Sequence, residues 1–213
     1  MAIESSTATS LSSAYYLRNF YTSNRDASSS SKRKDLSNST LAKADADALR
    51  RAVRKLRGFH YADDTTDGAN IYSSVSAFIE VYNNAMSSAG SINDSSLERY
   101  ARNLKSLSNK YADELKDIGI TVNSDGTLTA NENLLKSADV SDVKKLFSSD
   151  SEYSNQISRY AKRMIVKAED AIFTEQSVVS NAAKQTSAAA EAAMLVSEAL
   201  TDNGIGTNIN ISL

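Results

Sequence analysis

Residues 151–202 read SEYSNQISRYAKRMIVKAEDAIFTEQSVVSNAAKQTSAAAEAAMLVSEALTD, and this stretch decides the fold. It contains neither Gly nor Pro, the two residues that most often interrupt a helix. Apolar side chains recur along it at helical spacing, beginning with Tyr153, Ile157, Ala161 and Met164. The pattern predicts one helix of roughly 50 residues, or about 75 Å at about 1.5 Å per residue.

A helix of that length is too long for a small domain to cover. A compact domain of this size spans roughly 30–40 Å, so part of the helix needs another helix of this chain or of a neighbouring subunit. An Ala-rich stripe near its end favours close approach of two backbones. The residues that we expect at this contact are Ala182, Ala189, Ala193, Val196 and Leu200.

Upstream of this helix the apolar period changes from 3.6 to 2. Ile120-Thr121-Val122 and Thr127-Leu128-Thr129 flank the polar stretch Asn123-Ser124-Asp125-Gly126. Alternation on both sides of an Asp-Gly pair is typical of a hairpin whose turn residues have positive φ. The sequence therefore predicts one small β-hairpin near residues 120–129.

The remaining pattern is helical. Leu49, Ala52, Val53 and Leu56 share one face of a helix that begins near Ser39 and should stop at Gly58, and two further helices should end at Gly90 and Gly119. The predicted fold class is mainly α: a helical bundle with a long C-terminal helix and the small hairpin.

The expected organisation has four parts. Residues 1–38 are rich in Ser and Thr and are predicted to be flexible or partly helical, with a flexible, solvated segment at Ser28–Lys34. Residues 39–150 should form the helical domain with the hairpin. Residues 151–202 should form the long helix, packed on the domain or on a neighbouring subunit, and residues 203–213 a tail.

Charge is divided unevenly along the chain. Residues 1–60 carry 11 Lys and Arg against 5 Asp and Glu, whereas residues 61–213 carry 13 against 21, so the two parts have net charges of +6 and −8. Opposite charges of this kind favour attraction within one chain or between neighbours.

A basic face lies on the helix that ends at Gly58. It consists of Arg50, Arg51, Arg54, Lys55 and Arg57. Such a face can be simply solvated, can dock on an acidic protein surface, or can bind nucleic acid or anionic lipid. It has no interleaved aromatic residues for base stacking, which makes nucleic acid the least favoured of the three.

Residue types that support catalysis or metal binding are scarce. There is no Cys, and His60 is the only His, without a nucleophile or Gly-rich elbow beside it. Asp63, Asp64 and Asp67 do not follow the alternate spacing of a calcium loop. We therefore predict a non-enzymatic protein with no cofactor, no metal site and no small-molecule substrate. No apolar run approaches the roughly 18 residues of a membrane-spanning helix.

The middle of the chain resembles the flagellar filament-capping proteins, the hook-associated protein 2 family. Residues 111–128, YADELKDIGITVNSDGTL, are similar to that family's helix ending in Leu-x-x-Ile-Gly-Ile, followed by a hairpin with an Asp-Gly-x-Leu turn. Phe78-Ile79-Glu80-Val81-Tyr82-Asn83 and Val143-Lys144-Lys145-Leu146-Phe147 are similar to two further blocks of the family, in the same order. The match covers about residues 75–170 and corresponds to the C-terminal helical region of those larger proteins, as a small paralogue would.

The resemblance implies an exported axial or cap-related component that assembles through helices with copies of itself or with other flagellar axial proteins. It implies an extracellular or cell-surface location, reached by flagellar-type export that reads no cleaved signal. The alternative from the residues alone is a cytoplasmic helical adaptor whose basic helix, residues 49–57, docks on an acidic protein or on nucleic acid.

Overall fold

A computed structural model of the protein describes residues 11–61 and 65–202, with the backbone alone at 65–68 and 198–202. Within these residues the fold is mainly α, with nine α-helices and one two-stranded antiparallel sheet, which confirms the predicted fold class. The chain divides into two compact units between Asp170 and Ala171. The predicted tail, 203–213, lies outside the described residues, as do residues 1–10 of the N-terminal segment.

The helices and strands of the described chain have the following bounds: α1 Ser13–Phe20, α2 Ser30–Arg33, α3 Asn38–Arg57, α4 Thr65–Gly90, α5 Ser95–Lys110, α6 Ala112–Asp117, β1 Ile120–Val122, β2 Leu128–Ala130, α7 Glu132–Lys136, α8 Val140–Phe147 and α9 Glu152–Asp202. Helix α9 is a single element of 51 residues, close to the roughly 50 that the sequence predicts.

Local sequence signals set the helix boundaries. The Ser37 side chain accepts from the Thr40 N–H at the start of α3, and the Asp94 carboxylate accepts from two backbone N–H groups at the start of α5. Gly58 follows α3 directly, and its N–H donates to the Arg54 carbonyl. These contacts satisfy backbone groups that a helix end otherwise leaves unpaired.

The core of the first unit lies between α3 and α4. Leu49 and Val53 of α3 and Phe78 and Tyr82 of α4 are completely buried. The Phe78 ring meets that of Phe147 edge-on, with centroids 5.1 Å apart, which brings α8 onto the same core. The buried side chains at the start of α9 recur at helical spacing and close the core: Tyr153, Ile157, Ala161, Met164 and Ala168.

The hairpin differs from the sequence prediction in two details. Strand β2 begins at Leu128, one residue later than predicted, and Val122 pairs with Leu128. Only Gly126 of the turn has positive φ, at 93°, and Asp125 does not. Instead the Asp125 carboxylate accepts from the Thr127 N–H at 2.8 Å, so the aspartate stabilises the turn as a side-chain acceptor.

The side chain of Asn83 attaches the hairpin to α4. Its Nδ2 donates to the Leu128 carbonyl and its Oδ1 accepts from the Leu128 N–H, both at 2.8 Å. We expect Asn83→Ala to lower the free energy of unfolding by about 1–3 kcal/mol, because both groups of a buried strand residue lose their partner. Urea unfolding followed by far-ultraviolet circular dichroism measures this. Asn109→Ala, at an exposed position of α5, is the matched control, and an equal loss in both variants would contradict the attachment.

The described part of the N-terminal segment is partly helical and packs on the core. Tyr16 and Phe20 of α1 and the following Tyr21 are buried, and Arg33 closes the short helix α2. The Arg33 guanidinium donates to both oxygens of the buried Asp45 carboxylate on α3, at 2.7 and 2.8 Å. Ser30, Ser31 and Lys32 are exposed, whereas Arg33 is partly buried because the buried carboxylate of Asp45 requires a cationic partner.

Candidate functional site

The second unit presents a helix surface that the described residues do not cover. Nine large hydrophobic side chains of the described chain are exposed, and six of them lie between Ala171 and Ser197. These six are Phe173, Val178, Val179, Met194, Leu195 and Val196. Phe173 and Met194 each expose 73% of their area, far more than apolar residues packed in a folded core.

One face of this part of α9 is a stripe of small residues. Val178, Ala182, Ala189, Ala193 and Val196 follow one another at intervals of 4, 7, 4 and 3, and all are exposed. Intervals of three, four and seven keep the residues on one side of a helix. We call these residues the alanine stripe. The structure thus exposes four of the five side chains predicted at a contact, and Leu200, which continues the spacing, has its side chain outside the described residues.

The opposite face carries a different pattern. Glu191, Met194 and Leu195 are exposed at positions i, i+3 and i+4, and the sequence places Glu198 at i+7. Two large apolar residues therefore lie between two acidic positions. The sequence analysis did not single out this set, although its helical spacing is visible in the sequence. We call it the acidic face.

The predicted basic face of α3 is partly neutralised by Asp47, one turn earlier. Arg50 and Arg51 approach its carboxylate at 3.5 and 3.1 Å. Partial burial acts to raise the pKa of Asp47, but hydrogen bonds from Ser23 and Arg51 hold it below the usual value. These two cations are thus already partnered within the helix.

The other three basic residues have different surroundings. Arg57 donates to the Ser149 carbonyl at 3.5 Å. Arg54 is exposed, and so is Lys55, whose Nζ lies 4.6 Å from the centroid of the Phe59 ring. The five predicted residues therefore do not form one uniform cationic surface, and Arg54 and Lys55 are the most accessible of them.

A groove of about 500 Å³ separates α1 from α3 in the first unit. Tyr16 and Phe20 form an apolar wall, and Arg51, Arg54 and Lys55 form a basic wall. Sequence reasoning missed this groove because its two walls come from residues that are distant in the chain. Aromatic residues do accompany the basic face: Tyr15, Tyr16 and Phe20 come from α1, and Phe59 follows α3.

Three hydroxyl groups of the core are hydrogen-bonded to one another. The hydroxyl groups of Tyr82, Ser108 and Tyr153 form a chain with separations of 2.9 and 3.1 Å, joining α4, α5 and α9. Burial raises the pKa of Tyr82 to about 12 and also raises the pKa of Tyr153, so both phenols stay neutral. This row of hydrogen-bonded hydroxyl groups holds α4, α5 and α9 together, and none of its three groups is ionised.

The candidate residues for chemistry remain scattered. His60 is exposed, and the part of the chain that the structure describes contains no group of three or more His, Cys, Asp or Glu side chains placed to hold a metal ion. Asp63 and Asp64 lie outside the described residues, as does the side chain of Asp67.

No helix within residues 11–61 and 65–202 combines the length and the apolar character that crossing a membrane requires.

Comparison with known proteins assigns no function to these surfaces. The chain matches no protein-family model, no curated protein and no solved structure. The features that bear on its function are therefore its own surfaces: the alanine stripe, the acidic face and the groove.

Proposed function

We propose that this protein is a non-enzymatic assembly component, of the exported flagellar axial or cap-related type, that associates with neighbouring subunits through the second half of helix α9. The observation that carries the proposal is the alanine stripe, which is exposed along residues 178–196. The residues of the stripe have the spacing of a helix–helix contact. All five of them are exposed.

Exposing the apolar face of a helix to water is unfavourable in free energy. Most helical stability in proteins comes from packing an apolar face, and the exposed second half of α9 lacks this contribution. Small side chains let two helices approach closely and bury backbone as well as side-chain atoms. Burial at about 25 cal/mol per Å² of apolar surface then favours a second copy over solvent.

The flagellar part of the proposal rests on the resemblance and on the order of elements. Helix α6 leads through Ile118 and Gly119 into the hairpin, and α7 and α8 precede the long helix. This is the order that the resemblance to the capping family implies. In that family's arrangement, terminal helices serve association between subunits, which agrees with an exposed stripe near the carboxyl end.

The test is the mass of the full chain in solution. We expect the wild-type protein to dimerise and the Ala189→Lys/Ala193→Lys variant to dimerise about tenfold more weakly or worse, because two charges would have to be buried in the contact. Size-exclusion chromatography with light scattering, in about 0.5 M salt where charge attraction is screened, measures this.

The matched control is Ser180→Lys/Ala183→Lys, which adds the same charge at exposed positions off the stripe. It should dimerise like the wild type. A wild-type protein that stays monomeric at high concentration, or a stripe variant that dimerises as well as its control, would rule out the proposal.

A further inference from the structure

The groove between α1 and α3 has the character of a receptor for an amphipathic helix. Its volume of about 500 Å³ falls in the range of clefts that take a small ligand or a few side chains. Tyr16 and Phe20 of its apolar wall are each only 3% exposed, whereas Tyr15 at its edge is 42% exposed and is the accessible aromatic residue. Aromatic residues of this kind commonly anchor protein contacts.

The cations of the groove define the charge of its occupant. Arg54 and Lys55 are exposed at its rim, and Arg51 shares the Asp47 carboxylate with Arg50. An occupant should therefore present apolar side chains to the aromatic wall and carboxylates to the opposite wall.

The acidic face of α9 has that composition. Met194 and Leu195 are exposed side by side, and Glu191 and Glu198 precede and follow them on the same side of the helix. The two Glu positions are about 10 Å apart at about 1.5 Å per residue. Residues 171–202 as a whole carry four acidic residues and one Lys, a net charge of −3.

We propose that the acidic face of helix α9 in one copy docks in the α1–α3 groove of a second copy. Met194 and Leu195 would contact Tyr15 and Leu11 at the mouth of the groove, and Glu191 would pair with Arg54 or Lys55. The inference rests on the proposed function, since it names the surface of the neighbouring subunit that one side of α9 binds.

This contact uses two different surfaces, so it is not self-complementary. Each copy that offers its helix keeps its own groove free for a third copy, and such contacts build rings or open filaments rather than closed dimers. The alanine stripe lies on the other side of α9 and stays available for pairing. Together the two contacts would allow assemblies larger than a dimer.

The test uses two full-chain charge-reversal variants, Arg54→Glu/Lys55→Glu and Glu191→Lys/Glu198→Lys. In about 0.05 M salt, where charge attraction is least screened, the wild-type protein should grow beyond a dimer as its concentration rises. Each variant alone should stop at the dimer, because its groove and its acidic face then carry charges of the same sign. We expect the contact to weaken about tenfold or more in each variant.

Mixing the two variants should restore growth, because each reversed surface meets a complementary one on the other variant. Lys116→Glu/Lys144→Glu, which reverses two exposed lysines remote in sequence from α1 and α3, is the matched control and should behave as the wild type. A groove variant that grows like this control, or a mixture that stays dimeric, overturns the inference. Either result would leave the alanine-stripe dimer in about 0.5 M salt untouched, so failure here is distinct from failure of the proposed function.

Discussion

Replacement of Asp45 by Ala is expected to destabilise the first unit by about 3–5 kcal/mol, the cost of removing one partner from a buried ion pair. The Asp45 side chain is completely buried, and Arg33 donates to both of its oxygens. The Tyr21 hydroxyl donates to the same carboxylate at 2.7 Å and accepts from Asn84 at 3.0 Å. The variant would leave the Tyr21 phenol without its acceptor and the Arg33 guanidinium with the Ala27 carbonyl but no compensating negative charge.

Urea unfolding of Asp45→Ala, followed by far-ultraviolet circular dichroism, checks this expectation. Asp26→Ala is the matched control, because Asp26 forms a 2.9 Å ion pair with Lys32 in the same segment but both side chains are more than half exposed. An exposed pair contributes about 0–1 kcal/mol, so the control should unfold close to the wild type. Similar midpoints for the two variants would show that the Asp45 network does not hold α1 and α2 on the core.

Gly119→Ala is expected to lower the free energy of unfolding by about 2–5 kcal/mol. Gly119 joins α6 to the hairpin with a φ of 78°, and an L-residue in that region costs about 1–2 kcal/mol. A Cβ there would lie 2.7 Å from the Leu134 Cβ and 2.8 Å from the Leu135 backbone nitrogen. Because one of these atoms is backbone, helix α7 has to shift, which adds about 1–3 kcal/mol.

Gly90→Ala at the end of α4 separates this effect from a general response to glycine replacement. A Cβ at Gly90 meets nothing within 4 Å, and Gly90 does not have positive φ. Replacement should therefore be neutral or stabilise by about 0.4–1 kcal/mol. Thermal and urea unfolding of both variants measure the difference, and a Gly119→Ala protein as stable as Gly90→Ala would show that the α6–hairpin junction tolerates a side chain.

The elements that the sequence predicts well are those fixed by local patterns. Helix α3 follows from the spacing of Leu49, Val53 and Leu56 and from the stop at Gly58. The hairpin follows from alternation on both sides of Asp125 and Gly126, although the position of β2 was one residue off. Helix α9 follows from an apolar period that slips only near Thr174 and from the absence of Gly and Pro along it.

The parts that the sequence does not reveal depend on partners from distant positions. Nothing near Ser30 indicates that Arg33 will bind a buried carboxylate on α3, because that carboxylate lies 12 residues further along the chain. The groove is hidden for the same reason, because Tyr16 and Lys55 are 39 positions apart in the chain. Asp47 was overlooked as the partner of Arg50 and Arg51 because sequence spacing alone does not show which ion pairs form.

The buried tyrosine hydroxyls have a spectroscopic consequence. The chain has no tryptophan, so its absorbance near 280 nm and its intrinsic fluorescence come from ten tyrosines, all at or before Tyr160. Tyr21, Tyr82 and Tyr153 lie in the core, whereas residues 171–202 contain Phe173 as their sole aromatic residue. Intrinsic fluorescence therefore monitors the first unit and does not detect changes in α9 beyond Asp170. Subunit contacts of that part have to be measured with an attached label or by light scattering.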